Sequence, residues 1–371
     1  MAGLYWLLLV PVLVPFGIWF ATYLRNKPTL SFMALGTSIL AGCLVMAGMW
    51  HLSRAQQITD TEIWNGQVTD KKQVWVSCSH SYECFCTTDR DGNRTCQTCY
   101  EHSNDWDWVV YTTAGDLTIS RVDRRGSHTP PRWAQVEIGE PASVEHRYKN
   151  YVQAVPESLY NLSEAENDAL PDVPNYPEVY DYYRIDRVLT VGVTYADADV
   201  LNAHLNTALM TLGPQKQANV VVIVVNAPDP NYRYKVEASW IGGNKNDIIV
   251  LLGTDETAET VAWADVITFA GNAGNELFKV TLRDQLLDGN TLDGATVASA
   301  ISTNITELYD RPEMADYEYL AAAIQPSGGQ KVLAVILSLL ANLIAAAAVT
   351  YNENRRGVMR GRFGGYQRRR W

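Results

Sequence analysis

Three stretches of the chain are apolar throughout and carry no charged residue: Leu4 to Leu24, Leu30 to Trp50 and Val332 to Val349. Each comes close to the ~20 residues that a helix needs to cross a bilayer. The pattern therefore predicts two transmembrane helices joined by a short loop over residues 1–50, and a third over 331–350. The first stretch has no basic flank ahead of it and no small-residue cleavage site, which separates it from a signal peptide.

Between these stretches the pattern turns polar. Residues 51–70 read as a polar exit from the membrane. Beyond them "QVWVSC" (73–78), "DWVVYTTAG" (107–115) and "LTISRV" (117–122) alternate apolar and polar positions, as half-buried strands do. Residues 51–150 are thus expected to form a β module. Residues 151–185 make a connector rich in Tyr, Pro and acids ("PDVPNYPEVYDYY"), held extended because residues before proline avoid the helical region.

From 186 the pattern changes again. "RVLTVGV" reads as a strand, and residues 197–213 space Leu201, Leu205, Ala208 and Leu209 as a helix does, with Asp at the start and Gly at the end. "ANVVVIVVN" (218–226) is a continuous β-branched run, as in a strand covered on both faces. "NDIIVLLGT" (246–254) is another strand. Amphipathic helices follow at 275–289 and 293–308, with a third near 314–324. Strand–helix alternation over 186–328 implies an α/β layer on a parallel or mixed sheet. The expected class is α/β (α+β): three transmembrane helices, a small cysteine-rich β module and an α/β sandwich.

Charge adds an orientation. The loop between the first two helices carries Arg25 and Lys27, and the tail at 351–371 holds seven arginines and one glutamate. Short loops rich in Lys and Arg stay cytoplasmic. The N-terminus and residues 51–330 are then expected outside, and the tail inside. Residues 51–330 hold 20 basic and 40 acidic residues, a balance of −20. Such a domain disfavours nucleic acid as a partner. The expected partners are membrane lipid and either a second copy or another membrane protein. Ala345 to Ala348 would let helices approach closely.

The cysteines change the picture of the β module. Cys43 falls within the second apolar stretch, and Cys78, Cys84, Cys86, Cys96 and Cys99 cluster outside it. Asp91-Gly92 is a two-residue hairpin signal. A turn there would oppose Cys84 to Cys99, put Cys86 diagonal to Cys99, and leave Cys96 on the other face unless a bulge turns it. Two chemistries fit. Disulfides among Cys84, Cys86, Cys96 and Cys99 suit an oxidising exterior, whereas the same four thiolates could hold structural zinc, the one cofactor considered. The odd count leaves one cysteine over, free or intermolecular.

Other candidates are weaker. In "EHSNDWDW", His102, Asp105 and Asp107 could bind a metal; the plain alternative is a strand with a buried tryptophan face and a solvated acid face. Asp247 and Asp255, with His102 and Asp105, make up an alternative acidic site. No Walker loop, G-x-S-x-G, H-E-x-x-H or EF-hand pattern occurs, so no catalytic residue is assigned.

Helix "VLNAHLNTALMTLG", strand "NVVVIVV", turn "SWIGGNKND" and strand "IIVLLGT" together resemble the TPM family over residues 186–310. That resemblance implies a membrane-anchored extracytoplasmic domain, of a kind including phosphatases as well as assembly or repair factors. The cysteine module and the two N-terminal helices depart from the family pattern. "CQTCYEHSNDWDW" and "YKNYVQAVPESLY" also resemble membrane proteins of large tailed phages. The leading expectation is a non-enzymatic membrane scaffold or interaction protein, with a membrane-bound phosphatase or hydrolase as the alternative.

Overall fold

The computed structural model of the chain describes residues 5–25, 30–155, 170–240, 243–269 and 275–364, with backbone alone at Tyr5 and over 356–364. It divides into two compact units: residues 1–59 with 320–371, and residues 60–319.

The first unit is helical. A 3₁₀ turn (Tyr5–Leu9) leads into α1 (Val10–Leu24), and α2 covers Phe32–Gln57. The last helix of the chain runs from Gly328 to Gly364. All three are long and apolar enough to cross a membrane. The hydroxyl of Ser31 caps α2 by accepting from the Ala34 amide. Residues 51–57, expected as a polar exit, instead continue α2, because "HLSRAQQ" contains no glycine or proline to stop it. The final helix likewise runs past Val349 into the arginine tail. Gly42 is where α2 and the final helix approach: a Cβ there would lie 1.9 Å from Asn342 Oδ1. The Asn342 amide donates to the Pro11 carbonyl at 3.1 Å, so one polar side chain ties all three helices together.

The second unit holds two four-stranded sheets and a hairpin. Strands β1 (Thr59–Val76), β4 (Asp105–Thr112), β5 (Leu117–Ile119) and β6 (Pro141–Lys149) form a sheet ordered β5-β4-β1-β6. Neither the 18-residue length of β1 nor β6 was expected from the alternation. Among the described residues, strands β2 (Ser81–Thr88) and β3 (Arg94–Tyr100) pair only with each other. A short α3 (Pro131–Ala134) lies in the proline loop.

The second sheet is ordered β10-β9-β8-β7. Strands β7 (Val188–Val191), β8 (Asn219–Asn226) and β9 (Asp247–Thr254) are parallel, and β10 (Trp263–Thr268) is antiparallel to β9. The sheet is covered on both faces, which explains the unbroken apolar runs. Val220, Val222 and Val224 of β8 pack with α4 (Ala198–Lys216), α6 (Glu276–Gly289) and α7 (Gly294–Leu308). Ile223 and Val225 face the other way, toward Leu170 of the connector and α5 (Tyr232–Ser239). Residues 314–322 form a 3₁₀ helix rather than an amphipathic α-helix; only Met314 of that stretch is buried, so no apolar stripe anchors a full helix. The architecture is mixed α/β with three candidate membrane helices. The connector, expected to be extended throughout, carries no regular structure over 171–179 but turns at 151–155 and at 181–183, where Asp181 and Tyr182 take positive φ; its residues 156–169 lie outside the described residues.

Candidate functional site

The cysteine hairpin departs from its expected register. Asp91 and Gly92 do turn the chain, with Gly92 at φ 86°, but in a loop closed by the Asp89 amide on the Asn93 carbonyl. The Asp89 carboxylate organises it, accepting from the Asp91 and Asn93 amides at 3.0 and 2.8 Å. The extra loop residue shifts the pairing, so Thr88 faces Arg94. A bulge between Cys84 and Thr87 shifts it again, so Cys84 faces Gln97 and Cys99 faces Tyr82. Cys84 and Cys99 therefore meet diagonally, with Cα atoms 5.8 Å apart, and pair as a disulfide. Phe85, at φ 48°, carries the bulge and brings Cys86 across to Cys96, the second pair, 3.9 Å apart at Cα. The four sulfurs meet two by two. Tyr82, Phe85 and Tyr100 stand exposed on this hairpin, Phe85 by 78%.

At the base of the hairpin lies a cluster that joins two of the residues expected as metal ligands, His102 and Asp105, to Cys78 and His80, which the sequence had not placed with them. Cys78 follows β1, His80 precedes β2, His102 follows β3 and Asp105 opens β4. Cys78 Sγ lies 3.7 Å from the Nδ1 of both His80 and His102. His102 Nδ1 is 3.2 Å from Asp105 Oδ1, and His80 Nδ1 is 3.3 Å from Asp105 Oδ2. Cys78 and Asp105 are buried, while the histidine rings are about three-quarters covered. Burial pushes the Asp105 carboxyl up, but the Ser79 amide, the Arg121 guanidinium and Cys78 together hold it below its usual value. Asp107 is not a member: it accepts from Arg121 at 2.7 and 2.9 Å. The expected division into a solvated acid face and a buried tryptophan face also fails. Asp105 is fully buried because Arg121 and the cluster enclose it, while Trp106 is only half-buried.

Asp247 sits elsewhere, at the start of β9 beside its parallel partner Asn219. It is 1% exposed. Its carboxylate accepts from Asn219 Nδ2 (2.8 Å), the Asn244 amide (2.7 Å) and the Tyr176 hydroxyl (3.0 Å). Burial raises the Asp247 carboxyl to about 6 against the pull of these donors. Behind Asn219 lies Arg187, also buried, whose guanidinium reaches Asn219, Asn65, Ser143 and Asn206. Among the described residues no carboxylate touches it, and burial draws it down to about 10. This network joins the two sheets, since Asn65 belongs to β1, Ser143 to β6 and Asn219 to β8.

A cleft of about 490 Å³ opens in front of Tyr176, lined also by Trp240, Gly243, Glu145 and Glu178. Among the described residues its lining includes no basic side chain and no nucleophile–base pair. Asp255 is exposed at the opposite end of β9, roughly 25 Å along the strand, where it accepts from Thr257. The expected acidic site is therefore not one site. His102 and Asp105 come together, with Cys78 and His80; Asp247 and Asp255 do not. C-x-H at 78–80 and H-x-x-D at 102–105 were the available signals for the cluster. Nothing local marked Arg187 or Tyr176. Comparison with known protein families, curated proteins and solved structures finds no match.

Proposed function

We propose that the chain is a membrane-anchored, non-enzymatic interaction protein, with its N-terminus and residues 51–330 outside the membrane and its arginine tail inside. The observation that carries this reading is the hairpin. A two-stranded ribbon alone is marginally stable, yet this one projects from the sheet under two cross-links, with Tyr82, Phe85 and Tyr100 exposed. Rigid exposed aromatics supply the anchor residues of protein interfaces. Paired cysteines also persist in oxidising compartments, which agrees with the orientation drawn from Arg25, Lys27 and the tail.

The second reading is a membrane-bound phosphatase of the TPM type, resting on residues 186–310. One observation favours it: Asp247, with its raised carboxyl, lies behind the Tyr176 cleft. Two disfavour it. Every oxygen of Asp247 is taken up by neighbouring donors, and a phosphate dianion entering the cleft would meet Glu145 and Glu178.

A photo-crosslinking residue at position 85 of the full chain, in native membranes, separates the two. The expected result is one discrete protein adduct, absent when the probe is moved to the exposed Glu307 and lost in Tyr82→Ala/Tyr100→Ala. Absence of any adduct at 85, or hydrolysis of p-nitrophenyl phosphate that Asp247→Asn abolishes, would overturn the proposal.

A further inference from the structure

We infer that Cys78, His80, His102 and Asp105 form a closed, four-ligand site for a divalent cation of the zinc class, at the root of the cross-linked hairpin. Zinc bonds of ~2.3 Å to sulfur and ~2.0–2.2 Å to nitrogen and oxygen place tetrahedral ligand atoms about 3.6 Å (S to N) and 3.4 Å (N to O) apart. The cluster shows 3.7 Å for both S···N edges and 3.2 Å for the edge from His102 Nδ1 to Asp105 Oδ1, while the other oxygen of that carboxylate, Oδ2, lies 3.3 Å from His80 Nδ1. All four donor atoms lie within 4.8 Å of one another. One thiolate, two imidazoles and one carboxylate form a borderline-soft set that suits zinc over calcium or magnesium.

The surroundings orient the donors. The His80 amide points at Cys78 Sγ (3.4 Å), as amides do toward a metal-bound thiolate. The Ser79 amide and Arg121 both donate to Asp105 Oδ2, at 3.3 and 3.0 Å, leaving Oδ1 turned toward His102. Such outer contacts fix the ligands of metal sites. Cys78 and Asp105, both ionised, would neutralise a dication. With four protein ligands and no open position the site is structural, not catalytic.

The position explains what the site is for. Residues 78–80 enter the hairpin and residues 102–105 leave it, and the Glu101 amide closes the base on the His80 carbonyl. The metal clips the root while the two disulfides clip the arms. It also accounts for the fifth cysteine of the module, which remains a thiol beside two disulfides because it is a ligand. The other group of potential ligands, Glu83 with Cys86 and Cys96, does not compete, since both its sulfurs are paired.

The test uses the full chain, purified in detergent without chelator, with metal measured by plasma mass spectrometry and by cobalt substitution. One zinc per chain is expected, together with a cobalt spectrum showing tetrahedral ligand-field bands and a thiolate charge-transfer band. Cys78→Ser should abolish the charge-transfer band, and His102→Ala should weaken binding by roughly 10-fold or more. Cys86→Ser/Cys96→Ser should leave both intact. A chain without metal that also gives no tetrahedral cobalt spectrum would refute the site. Metal lost in the Cys86/Cys96 variant but kept in Cys78→Ser would refute it too, in favour of a four-cysteine cage. Should Cys78→Ser fail to fold, the charge-transfer band of the wild type decides whether a thiolate is present.

Discussion

The second unit buries two aspartates, Asp105 paired with Arg121 and Asp247 held one side chain away from Arg187 by Asn219, and their surroundings assign them opposite roles. Asp247 is met by donors: an amide side chain, a backbone N–H and a phenol. Asp105 is met partly by donors, Ser79 and Arg121, and partly by other ligands, Cys78 and two histidines. A carboxylate saturated by N–H and O–H groups needs nothing more and serves as structure. A carboxylate converging with a thiol and two imidazoles on one point leaves that point to be filled. Burial alone therefore does not distinguish a functional acid; the identity of its neighbours does.

The sharpest way to break this contrast is at Arg187. Its guanidinium holds Asn65, Ser143, Asn206 and Asn219 at once, so Arg187→Ala orphans several buried polar groups across both sheets. A loss of about 3–5 kcal/mol is expected in urea unfolding of the full chain in detergent. Arg187→Lys should recover little, because an ammonium cannot span the same fork. A midpoint shifted by less than a third of that loss would show that the network is not what joins the sheets.

The hairpin should behave differently. Cys84→Ser/Cys99→Ser opens a 15-residue loop, worth ~3 kcal/mol of local stability. The expected outcome is protease cleavage between residues 84 and 99 with an unchanged urea midpoint for the remainder. Cooperative loss of the whole unit would contradict the independence of the two regions.

Asp247 provides a pH signature. Its carboxyl titrates near 6 when folded, against 3.8 in its ordinary state, so the folded chain holds the extra proton between those values. This contribution is full below about pH 4 and is lost as pH rises through 6, by about 2–3 kcal/mol at 1.36 kcal/mol per unit. Asp247→Asn should remove that slope from urea midpoints measured between pH 4 and 7; a slope that persists would place the raised acid elsewhere. The smallest effect belongs to Asp255, an exposed turn acid. Asp255→Asn should cost under ~1 kcal/mol and leave metal content and crosslinking unchanged.

Local chemistry made much of the fold legible. The apolar runs mark three helices of membrane length, and the β-branched run at 218–226 marks a strand covered on both faces. Asp91-Gly92 marks the hairpin turn. The failures share a cause. Cys84 and Cys99 pair as the turn implies, but one added loop residue and one bulge at Phe85 set the register in which the cysteines meet, and neither leaves a trace in alternation. Strand β6 was overlooked because "PASVEHRYK" is polar; its neighbour β1 recruits it through the sheet. For Asp105 the alternation leaves metal ligand and solvated acid both open, because period-2 reasoning assigns a face, not what covers that face.

Sequence by itself determined the three apolar helices, the acidic character of residues 51–330, the cysteine hairpin and the α/β alternation, because each depends on residues near one another in the chain. Only the tertiary structure decided that Cys78 stays unpaired beside His80, His102 and Asp105, and that Arg187 and Asp247 meet across Asn219. Of those contacts, Cys78 to His102 spans 24 positions, Arg187 to Asn219 spans 32 and Asn219 to Asp247 spans 28. Their geometry is set by strand register and sheet order, quantities that no local pattern encodes.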